Sequence, residues 1–147
     1  MSAGAPTATT WGAVHGDLRL GVEVEGGALV VRLENRGSRP LHVLSHVDAG
    51  DRHFDWFAVE LTDPAGGKRT LHFMDARNES ARVTTDLAPG KELSHRIDLQ
   101  AWARRSPNGA KPIAAGSYRA SVAYVVAGQP DVWNGSVSAG PVTLSIP

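Results

Sequence analysis

The stretch from Gly116 to Val126, GSYRASVAYVV, decides the fold. Its residues alternate in chemistry: Tyr118, Ala120, Val122, Tyr124 and Val126 fall on one side and Arg119, Ser121, Ala123 and Val125 on the other. A period of two over eleven residues is the signature of a strand with one buried face. The next segment, GSVSAGPVTLSI from 135 to 146, carries the same period and is expected to bulge at Ala139-Gly140-Pro141, because proline cannot donate to a ladder.

Working outward, the period recurs along the chain. DLRLGVEVEG sets Leu18, Leu20, Val22 and Val24 against Arg19, Glu23 and Glu25. Gly26-Gly27 then has the length of a two-residue hairpin turn, after which ALVVRLEN points Leu29, Val31 and Leu33 inward. LHVLSHV, WFAVELTD, RTLHFMD, ARVTTDL and LSHRIDL follow, separated by turns rich in Gly, Pro and Asn. Phe57, Val59 and Leu61 are the inward set of WFAVELTD. Residues 98–105, DLQAWARR, favour helix, and SPNGAKP breaks it. The pattern predicts an all-β, antiparallel β-sandwich of about seven to nine strands with one short helical turn in a crossover, a closed barrel being the alternative. Residues 1–12 read as a flexible arm and 13–147 as a single domain.

Composition excludes several classes of function. Fifteen basic and fifteen acidic residues give a formal charge of zero, so nothing draws the chain as a whole to nucleic acid. Such a surface repels its own copies weakly, which permits self-association. No cysteine is present, so disulfides, thiolate metal sites and cysteine nucleophiles are excluded. MSAGAPTATT lacks the basic and apolar regions of a signal peptide, and no apolar run approaches the ~18–20 residues of a membrane helix.

The chemistry-bearing residues concentrate in HVLSHVDAGDRHFDW, residues 42–56, which holds three of the six histidines. On a straight strand His42 and His46 are ~13 Å apart, too far to share an ion. The HExxH pattern works because a helix brings i and i+4 together, and a strand does not. A loop could curl His46, Asp48, Asp51 and His53 around a cation, but Asp and Gly are ordinary turn residues and Arg52 lies among them. No metal and no cofactor is therefore expected. Leu41, Val43 and Val47 are expected to face the core, with His42, Leu44 and His46 outward. His95 alternates with Leu93 and Ile97, so it is expected inward, near a rim. No nucleophile elbow or phosphate loop is present, which points away from an enzyme. Phe54 and Trp56 are the best candidates for an exposed aromatic binding anchor, while Trp102 is expected to plug one end of the sandwich.

Three short motifs carry a family resemblance: Pro89-Gly90 before one strand, Gly116-Ser117-Tyr118 opening the next-to-last, and Trp133-Asn134-Gly135 leading into the last. With them the chain resembles the immunoglobulin-like sandwich modules of bacterial extracytoplasmic proteins, and more distantly the immunoglobulin-like proteinase inhibitors. Where the usual module has proline before Gly-x-Tyr, this chain has Ala115. The resemblance implies a non-enzymatic binding or assembly module with a periplasmic or secreted setting. Its partner would be another protein or a surface glycan, met through loops or a sheet face. Tyr118 then takes the place of a tyrosine corner, its hydroxyl bonded to nearby backbone. Two alternatives remain at this stage: a loop-presenting proteinase inhibitor, and a metal-carrying domain built on residues 46–55.

Overall fold

A computed structural model of the chain describes residues 8–49, 51–53, 56–72, 82–105 and 111–147. Eleven strands and one helix are assigned among them. Two strands, β1 (Thr10–Trp11) and β5 (Asp51–His53), are only two and three residues long. The others are β2 (Leu18–Glu25), β3 (Ala28–Asn35), β4 (Leu41–Ala49), β6 (Phe57–Thr62), β7 (Lys68–His72), β8 (Arg82–Leu87), β9 (Glu92–Asp98), β10 (Gly116–Val126) and β11 (Gly135–Ile146). The helix α1 spans Leu99–Arg105.

The strands form two four-stranded sheets, in the orders β1-β2-β3-β9 and β11-β10-β6-β7, and a three-stranded sheet β5-β4-β8. Every pairing is antiparallel and none closes a barrel, so the chain is an all-β sandwich with one short helix. Alternation explains the core. Leu18, Leu20, Val22, Leu29, Val31, Leu33 and Ile97 project from the first sheet. Phe57, Val59, Leu61, Leu71, Val122 and Tyr124 project from the second into the same cluster. Glu25 pairs with Ala28, which leaves Gly26-Gly27 as the two-residue turn that their spacing predicts.

The bulge falls at the expected place. Ala120 stands opposite Val142 and Val122 opposite Ala139, so Ser121 faces both Gly140 and Pro141. The helix also behaves as expected. Leu99, Trp102 and Ala103 are buried, and α1 packs against β7 and β9, the adjoining edges of the two sheets. Gln100 holds the returning chain by a paired amide contact. Its Nε2 donates to the Ile113 carbonyl at 2.8 Å, and its Oε1 accepts from the Ile113 amide at 2.9 Å.

Two expectations need correction. Residues 10–12 are part of the fold and not of a flexible arm. Thr10 pairs with Val22 and Trp11 with Gly21, and the Gly12 amide donates to the Leu20 carbonyl at 2.8 Å. A Cβ on Gly12 would stand 1.6 Å from the Ser138 carbonyl oxygen, so only glycine lets the chain cross β11 here. The phase of β4 also differs. Val43, Leu44 and Ser45 are buried in succession, because the register against β8 shifts between Leu44 and His46. That irregularity turns Leu44 inward and breaks the strict alternation read from the sequence.

Asn35 links the sheets and has no obvious signal in NRGSRP, which reads as a plain turn. It is fully buried. Its Nδ2 donates to the carbonyls of Arg39 (2.6 Å) and Leu87 (2.8 Å), and its Oδ1 accepts from the Gly37 amide at 2.9 Å. Its backbone meets Lys91 and Gly90. A buried amide with its donors and acceptor satisfied fixes the start of β4 against the ends of β3 and β8.

Candidate functional site

Of the residues singled out from sequence, the structure gives strand positions for His42, His46, Asp48, Asp51 and His53. His42 stands opposite Asp86 in the β4–β8 ladder, and its Nδ1 hydrogen-bonds the Asp86 carboxylate on an exposed surface. Of the four metal candidates, His46 lies in β4 opposite Val83 and Asp48 opposite Arg52. Asp51 stands opposite Ala49 and His53 opposite Val47. No candidate faces another across the ladder. Residues 46–53 are therefore largely a hairpin where a loop was expected, and their side chains lie outside the described residues. Among the described residues no group of three or more His, Asp or Glu could hold an ion. The proposed anchor Phe54 also lies outside them.

Trp56 is half-buried and packs against the core, which corrects its expected role as an exposed anchor. The cause is the ladder: the Trp56 carbonyl accepts the Val125 amide at 2.9 Å, so the residue is tied to β10 one step before Phe57. Trp102 and Trp133 are buried. The Trp133 indole stacks on Tyr124 with centroids 5.8 Å apart and donates to the Gly16 carbonyl at 3.0 Å. Trp11 lies over Gly21, where a Cβ would strike its ring at 2.7 Å, and the Arg19 guanidinium sits 4.0 Å above that ring.

The buried polar residues are structural ties. Ser45 Oγ and His95 Nε2 are 3.2 Å apart in the interior, and the His95 ring meets Phe57 edge-on at 5.7 Å. His95 is inward, as its alternation suggested. The Tyr124 hydroxyl donates to the Leu44 carbonyl at 2.7 Å, and burial pushes its pKa well above the usual phenol range despite that bond. Tyr118 is half-buried, and its hydroxyl donates to Ala114, four residues upstream, at 2.7 Å.

The outer faces of the two large sheets differ sharply in chemistry. On the first, Arg19 meets Glu34 at 2.6 Å, Arg32 meets Glu23 at 2.5 Å and Glu92 at 3.7 Å, and Arg96 meets Glu25 at 2.9 Å. The hydrogen bonds from Arg32 and Thr9 hold the Glu23 carboxyl below its ordinary range, and the same Glu23 bond raises Arg32. On the second, the outward positions of β10 are Ser117, Arg119, Ser121, Ala123 and Val125. The cross-strand partners of Ala123 and Val125 are small and uncharged, whereas Ser121 stands opposite Glu60. Ala123 stands opposite both Ala58 and Ser138, and Val125 opposite Ser136. Charge collects at one end, where Glu60, Lys68 and Arg119 lie. The Lys68–Glu60 contact is 3.8 Å, and no other ion pair is found on this face among the described residues.

A shallow groove of about 280 Å³ runs along this face between Thr70, Ala58, Ser121 and Ser138, with the Glu60 carboxylate in its lining. Val125, at 47% exposure, stands at its other end and is one of two large apolar side chains exposed among the described residues, with Val14. A face of mainly small side chains, with Glu60 in its groove, presents less hydration to remove than the ion-paired face and lets a second surface come close. This patch was not visible in sequence, because its residues come from positions 58, 70, 121–125 and 136–138 and meet only through register.

No family model matches the chain, and no curated protein matches it in sequence. Among solved structures it is similar to the crystal structure of an ApaA protein from Bordetella pertussis. The identity is 18% and the TM-score 0.40, over 87% of this chain and 78% of that one. Likeness of that degree bears on neither fold nor function, and the fold rests on the strand pairing itself.

Proposed function

We propose that the chain is a non-enzymatic assembly module of immunoglobulin-like type, docking through the outer face of β11-β10-β6-β7. The connectivity supports the type. β3 pairs with β2 and, after a long crossover, with β9, while β10 lies between β6 and β11, as in immunoglobulin sandwiches. The Tyr118 bond to Ala114, near the start of β10, supports it as a tyrosine corner.

The observation that carries the proposal is the contrast in charge between the two outer faces. Interface centres are depleted in charged residues, whereas a face laced with ion pairs must lose their hydration to dock. The occupant most consistent with this face is a second copy of the chain. An isologous contact needs one patch that complements itself, and a patch of mainly small side chains does so while its Glu60 stays beside Lys68. The zero formal charge of the whole chain removes the long-range barrier as well. Small outward side chains also allow sheets to pack at about 10 Å.

The size of the patch sets the strength. From Ser117 to Val125, β10 extends about 27 Å, and three strand spacings span about 14 Å, which gives on the order of 400 Å² per copy. That lies at the low end of specific interfaces, so association is weak and reversible. Sedimentation equilibrium over a wide concentration range tests this. The expected result is a concentration-dependent dimer that Ala123→Arg abolishes and Ser94→Arg, on the opposite outer face, leaves intact. A strict monomer at every concentration, or a dimer indifferent to Ala123→Arg, would overturn the proposal. Capture of a different protein that Ala123→Arg prevents would keep the face and replace the occupant.

A further inference from the structure

A cleft of about 600 Å³ opens at one end of the sandwich, between the β6–β7 hairpin and the chain that returns from α1 to β10. Its floor is apolar. Leu61 and Ile113 are buried there, and the half-buried Tyr118 ring forms one wall. Its rim is cationic, with Lys68, Arg69 and Lys111.

The cations differ in freedom. Arg69 points along the inward side of β7, and its two terminal nitrogens donate to the Lys111 and Pro112 carbonyls. Those bonds fix the guanidinium beside the cleft without cancelling its charge. Lys68 reaches Glu60 at only 3.8 Å, with both side chains well exposed. Lys111 is exposed and makes no ion pair among the described residues. The one carboxylate in the lining, Asp63, accepts the amides of Ala65 and Gly67, each at 2.9 Å. It is engaged in closing its own hairpin. The floor is held by the Gln100–Ile113 amide pair and the Tyr118–Ala114 bond, so the cleft exists before any ligand arrives.

We infer that this cleft binds a small organic acid, a carboxylate carried on an apolar body. A volume of this order suits a compact ligand. The apolar floor would take the body, and the lysines and Arg69 would take the carboxylate at the mouth, where solvent spares it a full desolvation cost. A doubly charged inorganic anion gains nothing from the floor. A peptide ending in an apolar residue offers the same chemistry at its free carboxyl terminus, and the test separates the two sources.

The probes are 3-phenylpropionate, its neutral amide, inorganic phosphate, and a short peptide ending in leucine with a free or an amidated terminus. Binding is followed by amide chemical shifts of the full chain. Saturable shifts at Leu61 and Ile113 with 3-phenylpropionate are expected, with the amide about tenfold weaker or more, a difference of 1.4 kcal/mol. A Lys68→Gln/Lys111→Gln double variant, both positions being exposed, is expected to keep its melting temperature and lose about fivefold or more in affinity. Tighter binding of the free-terminus peptide than of 3-phenylpropionate assigns the site to chain ends. Equal binding of the neutral amide or of phosphate, or no shifts at millimolar probe, overturns the inference. The docking face is tested separately, by association, and because Lys68 also pairs with Glu60 on that face, Lys111→Gln alone keeps the two tests apart.

Discussion

On the outer surface of β1-β2-β3-β9, Arg19 meets Glu34, Arg32 meets Glu23, and Arg96 meets Glu25. On the outer surface of β11-β10-β6-β7, the equivalent central positions hold Ala58, Ser121, Ala123, Ser138 and the exposed Val125. Inward, both sheets give aliphatic side chains to one core, the second adding Phe57 and Tyr124. The difference lies only in the half of each strand that does not build the fold. Exposed ion pairs contribute little stability apiece, but they make a surface that prefers water to protein. Among the described residues the second face carries only the 3.8 Å Lys68–Glu60 pair, and on the proposed reading this is the face that meets another surface.

The largest expected effect tests whether the second sheet is supported as described. Deleting residues 142–147 removes Leu144 and Ile146, both buried, and half of the β10–β11 ladder. Those two side chains alone represent about 1.5–3 kcal/mol each, a large part of a small domain's stability. The truncated chain is expected to lose its cooperative thermal transition. A transition near that of the full chain would mean that β11 does not hold the face in place.

Next come the two tyrosines of β10. Tyr124→Phe leaves the Leu44 carbonyl unpaired in the interior, at a cost of about 1–3 kcal/mol. Tyr118→Phe breaks a bond at an exposed rim, where water replaces it, so about 0.5 kcal/mol is expected. Denaturant midpoints of the two variants measure the difference. A larger loss for Tyr118 would reverse the order in which these strands are anchored.

Smaller still is the pH dependence of the charged face. The Glu23 carboxyl is held below its ordinary value of 4.5 by Arg32 and Thr9. A lowered folded-state value contributes stability that is fully present above that ordinary value and is lost as pH falls through the folded one. The pair is partly exposed, so the effect is at most about 1 kcal/mol and weakens with salt. Glu23→Gln is expected to lower stability slightly at neutral pH, to match the parent once Glu23 is protonated in acid, and so to flatten the acid limb. A Glu23→Gln protein with an unaltered acid limb would show that this carboxylate is solvated and unpaired. The smallest effect on stability belongs to Ala123→Arg, about 0.5 kcal/mol or less for an outward substitution, even though it is the change expected to abolish association.

Much of the fold was legible because period two carries direct information about burial. The inward set of β10, the Gly26-Gly27 turn, the bulge at 139–141 and the helix with its buried Trp102 all follow from local pattern. The misplacements came from longer range. Leu44 turns inward because β4 slips against β8, and Trp56 is drawn in by its bond to Val125. Trp11 is ordered only because Gly21, ten residues on, leaves room for its ring. Asn35 looks like a turn residue until Leu87 is brought beside it. The candidate face was the least legible feature. Serine, alanine and threonine carry no chemical signal singly, and they become a surface only when four strands align them.

The most direct measurement exploits the lack of cysteine in the chain, which lets one be introduced without competition. Ser121→Cys places a thiol at the centre of the second outer face, and Ser94→Cys places one on the first. Under mild oxidation at matched concentration, Ser121→Cys is expected to form covalent dimers readily and Ser94→Cys to remain monomeric. Equal cross-linking of the two variants, or cross-linking of Ser94→Cys alone, would contradict the assignment of the second outer face as the surface through which this chain assembles.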